Sequence, residues 1–269
     1  MPQLRVLYTD LDGTLLGPGG SLFTTSGGGW SLSAAEALLR LHEAGVAVVP
    51  ISGRTRGQIG ELARAISATG YIAEMGALVI DRRVFPEEEH RHFGEFAGSG
   101  TPFEAMVRSG AGGFLLQRYP GRIEPHAPWS RHPREATMLF RGHVDHDEAQ
   151  AALETAGYTW LELADNGVIP RAFRGLEVDE VHAYHLVPKG VSKAAGVARH
   201  LELLGAAPGE AAAVGDSRSD LELAPVVGRM FVTANGRASV GESDLPPNAG
   251  FTSSTHGEGF AEAVAALLR

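Results

Sequence analysis

The sequence predicts an α/β protein, a Rossmann-like doubly wound parallel sheet core with an inserted α+β module. Three observations carry this. Short apolar runs alternate with helical periods over the first eighty residues, and the alternation returns after residue 187. The stretch between them has another texture, rich in Pro and His. Strands linked by right-handed helical crossovers run parallel, and their ligands gather beyond the carboxyl ends of the strands. The expected core is therefore discontinuous, residues 1–82 and 187–269, with the insertion over 83–186.

Leu4 to Thr9 is an apolar run stopped by Asp10 and reads as a buried strand. Gly17 to Gly29 is glycine-rich and reads as a flexible loop. Ser33 and Glu36 have capping-box spacing, and the helix they begin passes Leu38 and Leu41 to a stop at Gly45. Val46 to Ile51 is a second buried strand, Thr55 to Ala68 a helix, and Tyr71 to Ala73 and Ala77 to Ile80 short strands. In the insertion, Thr137 to Phe140, Tyr158 to Leu163 and Val181 to Leu186 are expected strands, and Asp145 to Ala156 an expected helix. After it come a helix from Ser192 to Leu204, strands at Ala211 to Val214 and Met230 to Thr233, and a last helix with Phe260, Ala263, Val264, Leu267 and Leu268 on one face.

The 269 residues are 43% hydrophobic and 20% charged, the balance of a globular chain that can bury a large core. With 32 acidic against 23 basic residues, the net charge of −9 gives no general attraction to nucleic acid or to an anionic membrane. The absence of Cys excludes disulfides and thiolate metal sites. The first ten residues lack the pattern of a signal peptide, and no apolar run approaches the ~20 residues of a membrane span, so the expected location is cytoplasmic. Oligomeric state is silent.

Asp10 and Asp12 stand two apart at a strand end, where an extended backbone would crowd both carboxylates on one side. A turn begun by Asp12-Gly13 is the plainer reading of the same residues. Asp216 and Asp220 follow the strand at Ala211 to Val214; they read either as a cap and a solvated acid or as hard oxygen ligands suited to magnesium. Ser52-Gly53-Arg54 lies between a strand and a helix, where a hydroxyl and amides can meet a phosphate or simply cap the helix. Lys193 places a cation in a first helical turn, against the macrodipole, which an anionic partner would justify; Lys189 is the rival.

Taken in order, Asp10-Leu11-Asp12-Gly13-Thr14, Ser52-Gly53-Arg54, Lys193 and Gly215-Asp216-Ser217-Arg218-Ser219-Asp220 resemble the four motifs of haloacid dehalogenase-like phosphatases. Ala73-Glu74-Met75-Gly76-Ala77, Gly190-Val191-Ser192-Lys193 and Gly257-Glu258-Gly259 are similar to the Cof-like branch, which includes mannosyl-3-phosphoglycerate phosphatases and sucrose-phosphate phosphatases. The branch usually has Asn where this chain has Met75, and again where it has Ser219.

The resemblance implies a magnesium-dependent phosphatase acting on a sugar phosphate or a phosphoglycerate-linked sugar. It makes Asp10 a nucleophile that becomes an aspartyl-phosphate, and Asp12 the general acid and base. Magnesium would bind Asp10, the Asp12 backbone carbonyl and Asp216, with Asp220 direct or one shell out. Ser52, Gly53 and Lys193 would hold the phosphoryl group, and Arg54 would reach the substrate. The inserted module would choose the substrate, with Arg118, Arg122, Arg131, Arg134, Arg171 and Arg174 as its basic candidates. A phosphosugar mutase and a catalytically silent phosphometabolite-binding protein are the alternatives.

Overall fold

A computed structural model of the chain describes residues 3–169 and 171–269. Residues 1 and 2, with which the expected core begins, and residue 170 of the expected insertion lie outside the described residues. The chain divides into two compact units, one running up to Arg91 and resuming at Ser192, the other His92–Val191.

The first unit opens with β1 (Val6–Asp10), α1 (Ser33–Glu43), β2 (Ala47–Ile51), α2 (Arg56–Ala65), β3 (Gly70–Ala73), β4 (Leu78–Asp81) and β5 (Glu88–Arg91). The second contains α3 (Pro102–Ser109), α4 (Ala111–Arg118), β6 (Ile123–Pro125), β7 (Met138–Gly142), α5 (His146–Thr155), β8 (Leu161–Val168) and β9 (His182–Pro188). The first unit then resumes with α6 (Lys193–Leu204), β10 (Ala211–Gly215), α7 (Arg218–Leu221), β11 (Arg229–Val232), β12 (Ala249–Phe251) and α8 (His256–Leu267).

In the first unit the eight strands lie in the order β12-β11-β10-β1-β2-β3-β4-β5. The six from β12 to β3 run parallel, and β4 and β5 extend the sheet antiparallel. This is the expected α/β sheet with helical crossovers. β5 has no apolar residue, so it leaves the sheet with a charged edge that resists further pairing. Its pairing with β4 keeps residues 88–91 in the first unit, beyond the boundary expected at residue 82.

Along α6 the buried positions are Lys193, Gly196, Val197, His200 and Leu201, a stripe at helical spacing. Val197 and Leu201 join Val6, Tyr8, Val49 and Ile72 in one cluster. Strand alternation sends Leu7 and Val48, both fully buried, to the opposite face, where α1 packs on β2 and α8. In the second unit, α3, α4 and α5 pack with the antiparallel sheet β6-β7-β9-β8 around Leu115, Phe140, Leu153, Leu163 and Leu186. No helix among the described residues is long and apolar enough to cross a membrane.

Two local expectations fail. The segment from Gly17 to Gly29 is folded back on itself, with the Gly17 amide donating to Ser21 O at 2.8 Å and Thr25 to Gly29 O at 3.0 Å. Paired backbone groups, which glycine content does not reveal, give it order. The capping box at Ser33 does not form: Leu32 is the N-cap, and Ser31 Oγ accepts the Ser33 amide instead.

The α6 stripe carries a titration. His200 Nδ1 lies 2.8 Å from the Tyr8 hydroxyl, and burial pushes the imidazole down to about 4, with Asp81 opposing the shift. A histidine depressed in the fold stabilises above its unfolded value of about 6.5, and that stability is lost as pH falls toward 4. Relative to a His200→Asn variant, the native protein should therefore lose roughly 2–3 kcal/mol between pH 7.5 and 4.5. Urea unfolding of both proteins at the two pH values measures this. A difference independent of pH would refute it.

Candidate active site

Strand register assembles the site. Asp10 ends β1 opposite Ile51 of β2, so Ser52 follows one residue beyond the pair. On the other side Thr9 pairs with Val214 of β10, so Asp216 emerges just past the level of Asp10. Gly215 in turn pairs with Val232 of β11, which brings Thr233 and Asn235 to the same end. Four chain segments far apart in sequence thus converge at the carboxyl ends of adjacent parallel strands, as the topology predicts.

Lys193 is the centre of the cluster. Its Nζ donates to Asp10 Oδ1 at 2.8 Å and to Asp220 Oδ1 at 2.7 Å, and its side chain is 1% exposed. Ser192 caps α6 by accepting the Ala195 amide, which puts Lys193 in the first turn. The macrodipole disfavours a cation there, and two carboxylates offset it. Lys189, the rival, pairs with Glu154 inside the second unit.

Burial, first, and then Asp220 and Asp216 hold the Asp10 carboxyl well above its ordinary range, while Lys193 opposes them. Burial and Asp220 likewise raise Asp216 to about 7. Burial disfavours the Lys193 ammonium, yet Asp10 and Asp220 outweigh it and hold the charge on. Three carboxylates face one ammonium, so the fully ionised cluster is short of positive charge.

Asp220 is neither solvated nor free. Its Oδ2 accepts from the Asp216 and Ser217 amides at 3.1 Å each and from Ser217 Oγ at 2.7 Å, while Oδ1 takes Lys193. It therefore fixes both the loop that carries Asp216 and the cation beside Asp10. The N-cap of α7 is Ser217, not Asp216.

The expected crowding of Asp10 with Asp12 does not occur. The backbone leaves the extended form after Asp10 and turns, with Leu16 N donating to Leu11 O, so the two side chains diverge. Asp12 is 57% exposed and is gripped by Arg54, whose Nε and Nη2 donate to its two oxygens at 2.8 and 2.6 Å. Arg54 thus meets a carboxylate of the chain itself. The acids that do crowd Asp10 are Asp216 and Asp220. Ser52 is buried, with its Oγ accepting the Arg54 amide at 3.2 Å, and Gly53 is buried beside it.

Thr14 and Asn235 complete the site, and sequence reasoning gave neither a role. Thr14 Oγ1 donates to Asp216 Oδ1 at 3.0 Å; Asn235 Nδ2 donates to Asp216 Oδ2 at 3.1 Å and to Gly13 O at 2.9 Å. The available signal for Asn235 was its place just after a strand expected to be parallel. Gly13 is required there: its φ is +93°, and a Cβ would stand 2.2 Å from Asp216 Oδ2.

Behind the site, Met75 sits at φ +60°, a left-handed conformation that Asn tolerates and Met does not favour. Next to it, Gly76 at φ +105° lies so close to α6 that a Cβ would stand 1.9 Å from Ser192 O; a Cβ on Gly196 would meet Gly76 Cα at 2.8 Å. This backbone contact seats the first turn of α6 and hence Lys193.

Asp10, Asp216 and Asp220 each offer a carboxylate oxygen within 4.8 Å of the others. Hard oxygen donors, two of them buried and the third half-buried, in a cluster short of positive charge fit a small dication such as magnesium. The Asp12 carboxylate, taken by Arg54, stands outside that group, which leaves only its backbone carbonyl for the expected metal role.

Known proteins similar to this chain share its fold. A family model described as haloacid dehalogenase-like hydrolase matches residues 174–244. A phosphoglycolate phosphatase of Methanoculleus marisnigri is 28% identical over 267 residues, 97% of this chain and 96% of the relative. One from Metallosphaera sedula is 28% identical across 90% of this chain and 87% of its own. Among solved structures, the sucrose-phosphatase of Synechocystis in complex with sucrose and phosphate superposes with a TM-score of 0.67 at 15% identity, covering 98% of both chains. A Thermoplasma acidophilum protein does so with a TM-score of 0.65 at 16% identity, covering 99% of both.

Proposed function

We propose that this haloacid dehalogenase-like phosphatase hydrolyses the phosphomonoester of a small metabolite in two steps, with Asp10 as the nucleophile. The reading rests on one observation above the rest: Asp10 ends a buried strand with Lys193 bonded to its carboxylate and Asp216 and Asp220 beside it. Asp10 attacks phosphorus, the P–O bond to the substrate alcohol breaks, and an aspartyl-phosphate forms. Asp12 supplies the proton to the departing oxygen and then takes one from the water that releases phosphate, after Arg54 gives up its bidentate hold. Lys193 and Ser52 hold phosphoryl oxygens, with Gly53 offering its amide.

A magnesium ion held by Asp10, Asp216 and the Asp12 carbonyl, with Asp220 behind, would supply charge neutralisation for a phosphate dianion among carboxylates. The second unit is the module proposed to choose the substrate. Phosphoglycolate is the first candidate, because relatives matching nearly the whole chain carry that name. Sugar phosphates, which the Cof-like motifs suggest, are the second.

Purified protein with magnesium should release inorganic phosphate from phosphoglycolate or from a sugar phosphate, and chelation should stop it. A broad phosphometabolite panel without release would end the hydrolase reading. Labelled sugar phosphate that is isomerised without net release would decide for a mutase. Thermal stabilisation by the same compounds without turnover would decide for a silent binding protein.

A further inference from the structure

The second unit holds a cluster that phosphate chemistry does not use. His143 directly follows β7, His182 opens β9, and Glu180 lies two residues before it. Gly142 pairs with His182 across the sheet, which sets the two imidazoles side by side with ring centroids 5.0 Å apart. One ligand atom from each of His143, Glu180 and His182 lies within 4.8 Å of the others.

We propose that His143, Glu180 and His182 form a second metal site, for a zinc-class transition-metal dication, with Asp165 orienting His182 from behind. Two imidazoles and a carboxylate suit such an ion better than magnesium, and three protein ligands leave a position for water or an exogenous ligand. His182 Nε2 faces Glu180 Oε1 at 2.9 Å while its Nδ1 bonds Asp165 Oδ2 at 2.7 Å, the carboxylate–histidine arrangement that fixes a ligand's tautomer and ring.

The backbone supports both histidines. A register shift in β8 between Asp165 and Val168 re-aims Asp165, and the Gly167 amide holds its other oxygen at 2.8 Å. The His143 amide and carbonyl are both bonded to Arg122. Among the described residues, no hydrogen bond occupies the ring nitrogens of His143. A proton on His182 would satisfy Asp165 and Glu180 equally well, but it gives His143 nothing to do. A metal ion employs all three side chains and clips His143, at the end of β7, to Glu180 and His182 at the start of β9.

The test uses the full chain with magnesium in excess, so that the acidic cluster of the first unit is not the sink for zinc. Titration against a chromogenic chelator should give one zinc per chain with a Kd of about 1 μM or tighter. His143→Asn and His182→Gln should each weaken it by at least about 100-fold, and Asp165→Asn by about 10–100-fold. Asp216→Asn should leave it unchanged. X-ray absorption on the zinc-loaded native protein should count two imidazoles, a readout that survives if a variant fails to fold. Absence of stoichiometric binding, zinc without two imidazoles, or binding lost with Asp216 and kept without His143 would each overturn the site.

Discussion

Asp10→Asn is expected to cut phosphate release by at least about 10³-fold, because an amide oxygen cannot carry the phosphoryl group that the carboxylate accepts. The same substitution should leave the protein folded and no less stable. The Asp10 charge is opposed by burial and by two neighbouring acids, and Asn keeps its shape and an oxygen that can accept from Lys193. The two readouts together identify a chemical role, since a merely structural acid would lower stability and activity together. Phosphate assays paired with thermal unfolding measure both. Turnover within about 10-fold of the native protein would remove Asp10 from the chemistry.

Lys193→Met is expected to be the most destabilising single substitution in the site. It preserves the stem that packs along α6 but removes the cation shared by Asp10 and Asp220, both nearly fully buried. Breaking a buried pair from one side leaves charge without compensation, a loss of roughly 3–5 kcal/mol. For a body of this size that corresponds to a midpoint lowered by roughly 6–20 °C. Activity should vanish as well. Adding Asp220→Asn to Lys193→Met removes one orphaned charge, so the double variant should recover part of the stability. A single-variant loss under about 1 kcal/mol, or a double variant less stable still, would show that the ammonium does not hold the cluster together.

Much of this candidate site is legible in the sequence. Asp10 was legible because a strand that ends on an acid at the carboxyl edge of a parallel sheet has few other uses for it. Lys193 is legible too: it falls on the stripe of Gly196, Val197, His200 and Leu201, whereas Lys189 lies outside the helix.

What escaped depends on backbone direction, which residue types do not carry. Asp12 was expected to flank Asp10, but the chain turns between them and the side chain reaches Arg54 instead. Asn235 escaped because its importance comes from spanning Gly13 O and Asp216, two groups more than two hundred residues apart. β5 escaped because a wholly polar strand has no apolar alternation to betray it.

The contact of Gly76 with the start of α6 has a consequence for how this protein can vary. The two surfaces meet as bare backbone, so no larger residue can be accommodated by repacking a neighbour; the obstacle is a carbonyl oxygen, which has no rotamer to change. In a saturation library selected for activity, Gly76 should tolerate almost nothing, although the proposed chemistry gives it no role. The exposed positions of α6 on the same turns should accept most residues. Evolution can revise the surface of this helix freely, but the point from which it starts is written in main chain.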